Sequence, residues 1–384
     1  MPQISLNIHL TREDVIKNGS IFTGTEIVKL VYDQLKPFIN KNSVIGDFGA
    51  GYGAFLEKFR KSGKRCFGTE LEDLSYMLLK NEFPELDIYH ENSLVDISRV
   101  KYDLKEDDEL IAVGNPPYND VTSIYRKGQK GELVCDPDVV SRDFGISFLK
   151  TYNRLEAKYV CVLHPLAYLI KKQNFNALGA FKDNYRLLKG TVFSSKEFES
   201  IKKTNSEFPV VAALYERCDD GMDYEHIRAF RFGILGSKAG FVLKDILTID
   251  GIVDKYPKAG KTAGLQFYTL RDMNALLRNA GFVENRKTNG LEVTCGNLYQ
   301  YAWLYFLKNN FAPAKNRFLY GNLSPLWTKR LEEDSFKNQA VTYAYNNCEL
   351  IRKYYTADQI KALYGPAAEV QSDLFSELEK LYVF

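Results

Sequence analysis

From Ser43 to about Arg217, short apolar runs alternate with longer stretches whose apolar residues recur at helical spacing. The runs read as strands, the longer stretches as helices, and their alternation as a parallel sheet with crossover helices. This pattern predicts strands at Ser43–Phe48, Arg65–Thr69, Asp87–Tyr89, Glu109–Val113, Lys158–Leu163, Leu187–Phe193 and Val210–Tyr215, most of them bounded by Gly, Pro or charged residues. A helix from about Glu26 to Ile39 precedes the first strand, with Ile27, Leu30, Val31 and Leu35 on one face and Thr25 as its cap. After Arg217 the alternation gives way to a mixed, aromatic-rich region. A domain boundary is therefore expected near Cys218–Tyr224, dividing the chain into residues 1–220 and 221–384.

Composition refines this picture in three ways. At 384 residues the chain is long enough for two cores, and its 45% hydrophobic content excludes a disordered protein. The start, MPQISLNIHLTRED, has no basic segment followed by an apolar one, and the longest apolar stretch, Tyr159 to Ile170, is broken by His164 and Pro165. Neither secretion nor a membrane span is expected, and a cytoplasmic location is. The cysteines at 66, 135, 161, 218, 295 and 348 are scattered, with no C-x-x-C pair and no mixed Cys/His set, so reduced thiols and no metal site are expected.

Charge is segregated along the chain. Between Lys255 and Arg330 there are twelve basic residues against three acidic ones, a surplus of nine, although the net charge of the whole chain is only +2. Such a block reads as a footprint for a polyanion. Tyr256, Phe267, Tyr268, Tyr299, Tyr301, Trp303, Tyr305, Phe318, Tyr320 and Trp327 are interleaved with it. The recurrence of Tyr299, Trp303 and Phe306 at helical spacing makes that subset core rather than binding surface.

Two motifs carry chemistry. Asp47-Phe48-Gly49-Ala50-Gly51-Tyr52-Gly53 follows an apolar strand and opens a helix from Ala54 toward Arg60. Glycines at such a turn let the backbone approach a ligand where a Cβ would clash. Glu70, at the end of the next apolar run, is where a ribose-binding acid is expected. The loop alone does not separate NAD from S-adenosylmethionine.

Asn115-Pro116-Pro117-Tyr118 directly follows the strand ending at Val113. Two consecutive prolines fix the backbone, so the Asn115 side-chain oxygen and the Pro116 carbonyl become fixed acceptors for both hydrogens of a planar amino group, and Tyr118 can stack on its ring. An amine conjugated to a purine is a poor nucleophile. Two acceptors held beside it favour a more tetrahedral nitrogen and stabilise the positive charge that grows there during transfer, with cation–π help from Tyr118.

Taken together, these blocks resemble the amino-methyltransferase family, and their order resembles the gamma arrangement of DNA adenine-N6 methyltransferases of the restriction-modification type. The resemblance covers roughly residues 20–217. It implies a Rossmann-like, mixed seven-stranded methyltransferase sheet, followed by a mixed α/β domain for target recognition. Phe22-Thr23-Gly24-Thr25 resembles the leading block, in which Thr23 would touch the methionine end of S-adenosylmethionine. Asp47, Gly49, Gly51 and Gly53 would hold the methionine moiety, Glu70 the ribose and Asn92 the adenine, although the family usually has Asp at this last position. Asn115, Pro116 and Tyr118 would be catalytic, and either Phe198 or Phe208 would join Tyr118 in stacking on a flipped base.

The activity implied is methylation of adenine N6 in double-stranded DNA by base flipping, in restriction-modification or in host or phage DNA protection. A cognate restriction endonuclease is a candidate partner, and a monomer or weak dimer is expected. Arg271, Arg278, Arg286 and Lys287 are the DNA-binding candidates. Methyltransferases acting on adenine or guanine amino groups of RNA, or on protein glutamine, use the same Asn-Pro-Pro-Tyr pocket and are the competing readings. A non-catalytic nucleic-acid-binding module is a further one.

Overall fold

The computed structural model describes residues 23–118, 135–198, 207–257, 263–312, 316–368 and 372–382. Phe22 of the leading block, and Lys258, Lys261 and Lys315 of the basic block, lie outside the described residues. The chain forms two compact units, residues 1–243 and 244–384.

The first unit is built on one sheet. Strands β1 (Ser43–Asp47), β2 (Arg65–Glu70), β3 (Asp87–His90), β4 (Glu109–Gly114), β5 (Tyr159–Pro165), β6 (Tyr185–Ser194), β7 (Pro209–Arg217), β8 (Arg231–Ile234) and β9 (Gly240–Val242) lie in the order β3-β2-β1-β4-β5-β7-β6-β8-β9. β1 to β5 are mutually parallel, and β7 runs antiparallel between β5 and β6. All seven predicted strands are present within two residues at either end. The central ones are apolar throughout because both faces of the sheet are covered; β1 is buried at every position.

Helix α1 (Thr25–Leu35) carries the predicted apolar stripe. Ile27, Val28, Val31 and Leu35 are buried, each contributing about 1.5–3 kcal/mol. Gln34 on the same face donates to Thr191 Oγ1 on β6 at 3.1 Å, which locks the helix onto the sheet. Two details differ from expectation. Gly24, not Thr25, occupies the cap position, and no side chain caps the helix. The helix also tightens into a 3-10 turn at Lys36–Phe38, where Pro37 removes a backbone donor.

β8 and β9 extend the sheet beyond the seven expected strands. β8 pairs parallel with β6, and β9 returns antiparallel to it. These strands of four and three residues lie past Cys218–Tyr224, so the division between units falls after Leu243 rather than near residue 220. The first unit thus has the expected Rossmann-like mixed sheet with a two-strand addition at one edge.

The second unit is mixed α/β. A three-stranded antiparallel sheet has β10 (Leu265–Tyr268) between β11 (Phe282–Glu284) and β12 (Gly290–Glu292). Helices that include α2 (Leu298–Asn310) and α3 (Asp334–Asn347) complete the unit. Five of the ten interleaved aromatics are core, Phe267, Tyr301, Trp303, Tyr320 and Trp327 being buried; Phe306 is buried with Trp303, as expected, while Tyr268, Tyr299, Tyr305 and Phe318 are half-buried. Tyr256 remains exposed.

Gly53 is held by packing. Its φ is +81°, and a Cβ there would stand 2.4 Å from the Phe83 ring and 2.7 Å from Leu79. At Gly49 a Cβ would meet nothing within 4 Å. Gly53→Ala is therefore expected to cost about 1–3 kcal/mol from backbone strain and overpacking, while Gly49→Ala stays within about 0.5 kcal/mol of the parent. Urea denaturation midpoints check both, and equal shifts for the two variants would contradict this assignment.

Candidate active site

β1 and β4 are hydrogen-bonded neighbours, with Asp47 opposite Val113. Their connections diverge: β1 leads to β2 on one side, and β4 leads to β5 on the other. The carboxyl ends of the two strands therefore border a crevice at the point where strand order reverses, which is where open α/β sheets bind ligands. The glycine loop leaves β1 there, and Asn115 leaves β4 there.

Asp47 is buried at the end of β1, and neither carboxylate oxygen has a hydrogen-bond partner. A Cβ on Gly114 would stand 2.7 Å from its Oδ1, so the close approach of β4 depends on that glycine. Burial pushes the Asp47 pKa up to about 8; the nearby Gly49 amide works against this, and the Glu70 carboxylate adds to it. A buried, unpartnered carboxylate destabilises a protein unless a cation or donor is supplied.

Glu70 ends β2 and braces the loop. Its Oε2 accepts from the Gly51 amide at 2.8 Å, and its Oε1 accepts from the amides of Leu71 and Glu72, each at 2.9 Å. Burial raises its pKa, opposed by these three amides. The Ala50 amide donates to Thr69 O at 2.9 Å, which pins the loop to β2 from a second point. Asn92 lies just past β3, and its Oδ1 accepts from the Leu94 amide at 2.9 Å, closing its own turn.

The Asn-Pro-Pro-Tyr segment is joined to the start of α1. The Asn115 amide nitrogen donates to Thr23 Oγ1 at 3.1 Å, across ninety-two residues of sequence. With this bond made, the Oδ1 side of the amide is turned toward Tyr118. The Tyr118 hydroxyl donates to Asn115 Oδ1. Pro116 is buried, and Tyr118 packs its ring against the sheet core. Burial raises the Tyr118 pKa well above the usual phenol value, with the Asp143 carboxylate adding to the effect. Its hydroxyl is therefore protonated at neutral pH.

The two candidate stacking rings differ. Phe198 is fully buried, edge-on to Phe193 with centroids 5.7 Å apart. Phe208 is half-buried against the same core cluster as Tyr118. Sequence reasoning missed Asp143, Tyr168 and His164, which stand at this same edge; the helix-capping position of Asp143 before an apolar helix is the only local signal for them.

The described part of the basic block splits in two. Lys255 is tied to Asp250 at 3.0 Å, Lys308 to Leu277 O at 3.1 Å, and Arg330 to Glu333 at 2.9 Å. Arg271, Arg278, Arg286, Lys287, Arg317 and Lys329 are exposed, although Arg271 also pairs with Asp272 at 3.3 Å, Arg278 donates to Asn274 O at 3.1 Å and Arg286 lies over the Tyr268 ring. Among the described residues no helix is long and apolar enough to cross a membrane.

The crevice fits S-adenosylmethionine. Gly49 and Gly51 present bare backbone to open space, since a Cβ at either would meet nothing within 4 Å. Two carboxylates flank the loop. They suit a ligand bearing an ammonium, a sulfonium and ribose hydroxyls, whereas the Gly51 amide that the pyrophosphate of a dinucleotide would use is already engaged by Glu70.

No protein-family model matches the sequence, and no curated protein is similar to it. Solved structures with a similar fold include a TehB-like SAM-dependent methyltransferase from Corynebacterium glutamicum (14% identity, 54% of this chain and 94% of that one, TM-score 0.32). A dimethyladenosine transferase from Plasmodium falciparum (10% identity, 52% and 64%, TM-score 0.35) is another. A precorrin-6y C5,15-methyltransferase from Geobacter metallireducens (12% identity, 52% and 92%, TM-score 0.31) is a third. At these values the likeness carries no argument about substrate.

The Asp47 carboxyl yields a pH prediction. Its folded pKa, about 8, lies above the ordinary value of 3.8, so the native state holds a proton that the unfolded chain releases. The contribution to stability is full below the ordinary value and is lost as pH rises through about 8. Asp47→Asn cannot ionise, so its melting midpoint is expected to pull ahead of the parent's as pH rises from about 5 to about 8. A gap that does not change with pH would place the Asp47 titration elsewhere.

Proposed function

We propose that the chain is an S-adenosylmethionine-dependent methyltransferase that methylates the exocyclic N6 amino group of adenine in duplex DNA, in restriction-modification or DNA protection. The observation that carries this reading is the Thr23–Asn115–Tyr118 hydrogen-bonded set beside the Asp47 crevice. It sets a neutral acceptor for an amine next to a pocket suited to a sulfonium ligand.

In this reading Asp47 receives the ligand's ammonium, Glu70 its ribose hydroxyls, and Gly49 and Gly51 its close approach; Gly53 supports the loop from behind. Asn92 lies at the adenine end, where its amide nitrogen supplies a donor. When bound, S-adenosylmethionine supplies the electrophilic methyl group. Thr23 holds the Asn115 amide so that Oδ1 faces the substrate, and an amino hydrogen takes the place that the Tyr118 hydroxyl fills. The Pro116 carbonyl accepts the second hydrogen, and the Tyr118 ring stacks on the base. Phe208, half-exposed, is the better placed of the two phenylalanines to add a second face, and Phe198 is a packing residue.

The second unit serves as the target-recognition domain. Arg271, Arg278, Arg286 and Lys287 supply phosphate contacts, because all four are exposed and project from or beside the β10–β12 sheet. An enzyme that extrudes a base from a duplex needs such a grip on the backbone. A partner endonuclease and a monomer or weak dimer remain part of this reading.

The deciding experiment is transfer of labelled methyl from S-adenosylmethionine to unmethylated DNA, total RNA and protein extract in parallel, followed by nucleoside analysis. N6-methyladenine in DNA is expected; label only in RNA or in protein glutamine would overturn the substrate. Asn115→Ala is expected to lower kcat by at least about 100-fold while cofactor binding persists. Replacing Arg271, Arg278, Arg286 and Lys287 together by Ala is expected to flatten the salt dependence of DNA binding, each lost phosphate contact reducing the log–log slope by about 0.9. An unchanged slope would move the DNA surface elsewhere.

A further inference from the structure

The crossover from β4 to β5 brings a second polar group to the crevice. The helix of this crossover (Phe144–Arg154) starts at the carboxyl edge of the sheet, because β4 ends there and β5, parallel to β4, begins at the opposite edge. Asp143 caps this helix, its Oδ1 accepting from the Gly145 amide at 3.0 Å. The Tyr168 hydroxyl, three residues past the end of β5, donates to the same oxygen. Tyr168 approaches so closely that a Cβ on Gly145 would stand 2.6 Å from its hydroxyl. On its other side Tyr168 stacks on His164, with centroids 5.2 Å apart and planes 13° apart, and His164 Nε2 is 2.7 Å from the Tyr215 hydroxyl.

β4 and β5 pair with Gly114 opposite Val162. Asn115 to Tyr118 leave the sheet from β4, and Leu166 to Tyr168 leave it from the neighbouring end of β5, whose last two residues, His164 and Pro165, are still paired with β7. The Asp143 carboxylate acts electrostatically on both Tyr118 and Tyr168. His164 is buried and neutral, its pKa lowered to about 4 by desolvation, so it does not cancel that charge. The rigid stack behind Tyr168 fixes where the charge stands.

We propose that Asp143, held by Tyr168 and by its own helix, is the electrostatic positioning residue of the amine pocket, supplying the negative charge that the neutral Asn115 does not. The inference rests on the amino-transfer reading above. In the transfer, a nitrogen–carbon bond forms as the carbon–sulfur bond breaks, with the bond pair staying on sulfur. Positive charge passes from sulfur to nitrogen and is discharged when an N–H proton leaves to water. A fixed carboxylate whose field reaches Tyr118, the partner of the Asn115 acceptor, lowers the energy of that arrangement relative to the ground state, and so acts on turnover rather than on binding.

Asp143→Asn isolates the charge, because asparagine caps a helix as well as aspartate does and its oxygen still accepts from Gly145 and Tyr168. The experiment compares the parent, Asp143→Asn, Tyr168→Phe and Asn115→Ala, measuring kcat and KM on the nucleic acid or protein that the parent methylates, S-adenosylmethionine affinity by calorimetry, and melting midpoint. Asp143→Asn is expected to lower kcat by about 100-fold with KM, cofactor affinity and midpoint unchanged. Tyr168→Phe is expected to lower kcat by a smaller factor, since it loosens the carboxylate without removing it. An Asp143→Asn variant within twofold of the parent, or one whose loss of rate follows a loss of midpoint or cofactor affinity, would overturn the inference. In that case an inactive Asn115→Ala leaves the amino-transfer reading standing, whereas an active Asn115→Ala overturns both.

Discussion

The parallel pairing of β1 with β4 is the constraint on which the site depends. In that register Asp47 lies opposite Val113, so the last residue of one strand and the residues that follow the other are neighbours in space although sixty-eight positions separate Asp47 from Asn115. Everything chemical in the first unit is suspended from this pair. The glycine loop leaves one strand and the Asn-Pro-Pro-Tyr segment the other, while α1, fixed by Gln34, delivers Thr23 to Asn115 from a third direction. A slip of one residue would invert every side chain of β4 and take the constellation apart, and the unbroken burial of both strands makes such a slip costly.

The same pairing accounts for the raised pKa of the Asp47 carboxyl. Gly114 lets the backbone approach Asp47 closely, and the burial that results leaves a carboxyl whose proton is held up to about pH 8. No packing argument favours an acid at that place. An asparagine or an apolar side chain would satisfy the strand end better, so the carboxyl is to be understood from what it meets in the crevice. Stability is given up locally for an electrostatic preference, as is common where a site must be organised before its ligand arrives.

Much of this was legible in the sequence because it is local. Seven strands followed from apolar runs, and the loop after Asp47 and the segment after Gly114 announced themselves by glycines and prolines whose backbone consequences are independent of context. What escaped depended on tertiary distance. β8 and β9 are too short to show a period and lie in a region whose alternation had faded. Phe198 and Phe208 are the same residue type on either side of one strand approach, and only burial separates them. Gly53 reads as part of the ligand cradle until Phe83 and Leu79 are seen against it. Asp143 and Tyr168 are twenty-five residues apart on different elements, so no spacing rule joins them.

Charge distribution completes the argument about substrate. The described crevice presents the Asp47 and Glu70 carboxyls, both with raised pKa, and uncharged polar groups, so it offers a polyanion no favourable field of its own. A nucleic-acid substrate would have to be gathered by some other part of the chain. The second unit differs: six described residues of its basic block are exposed, Arg271, Arg278 and Arg286 among them while also touching a neighbour, and Lys255, Lys308 and Arg330 are less exposed and tied to local acceptors. Its aromatics, which might have been taken for stacking platforms, are largely consumed by its core. Phosphate attraction rather than aromatic readout is therefore what this unit can contribute most, and it is the contribution that the acidic crevice lacks. The segregation of charge along the sequence thus becomes, in the structure, a set of exposed basic side chains within the second unit's basic block.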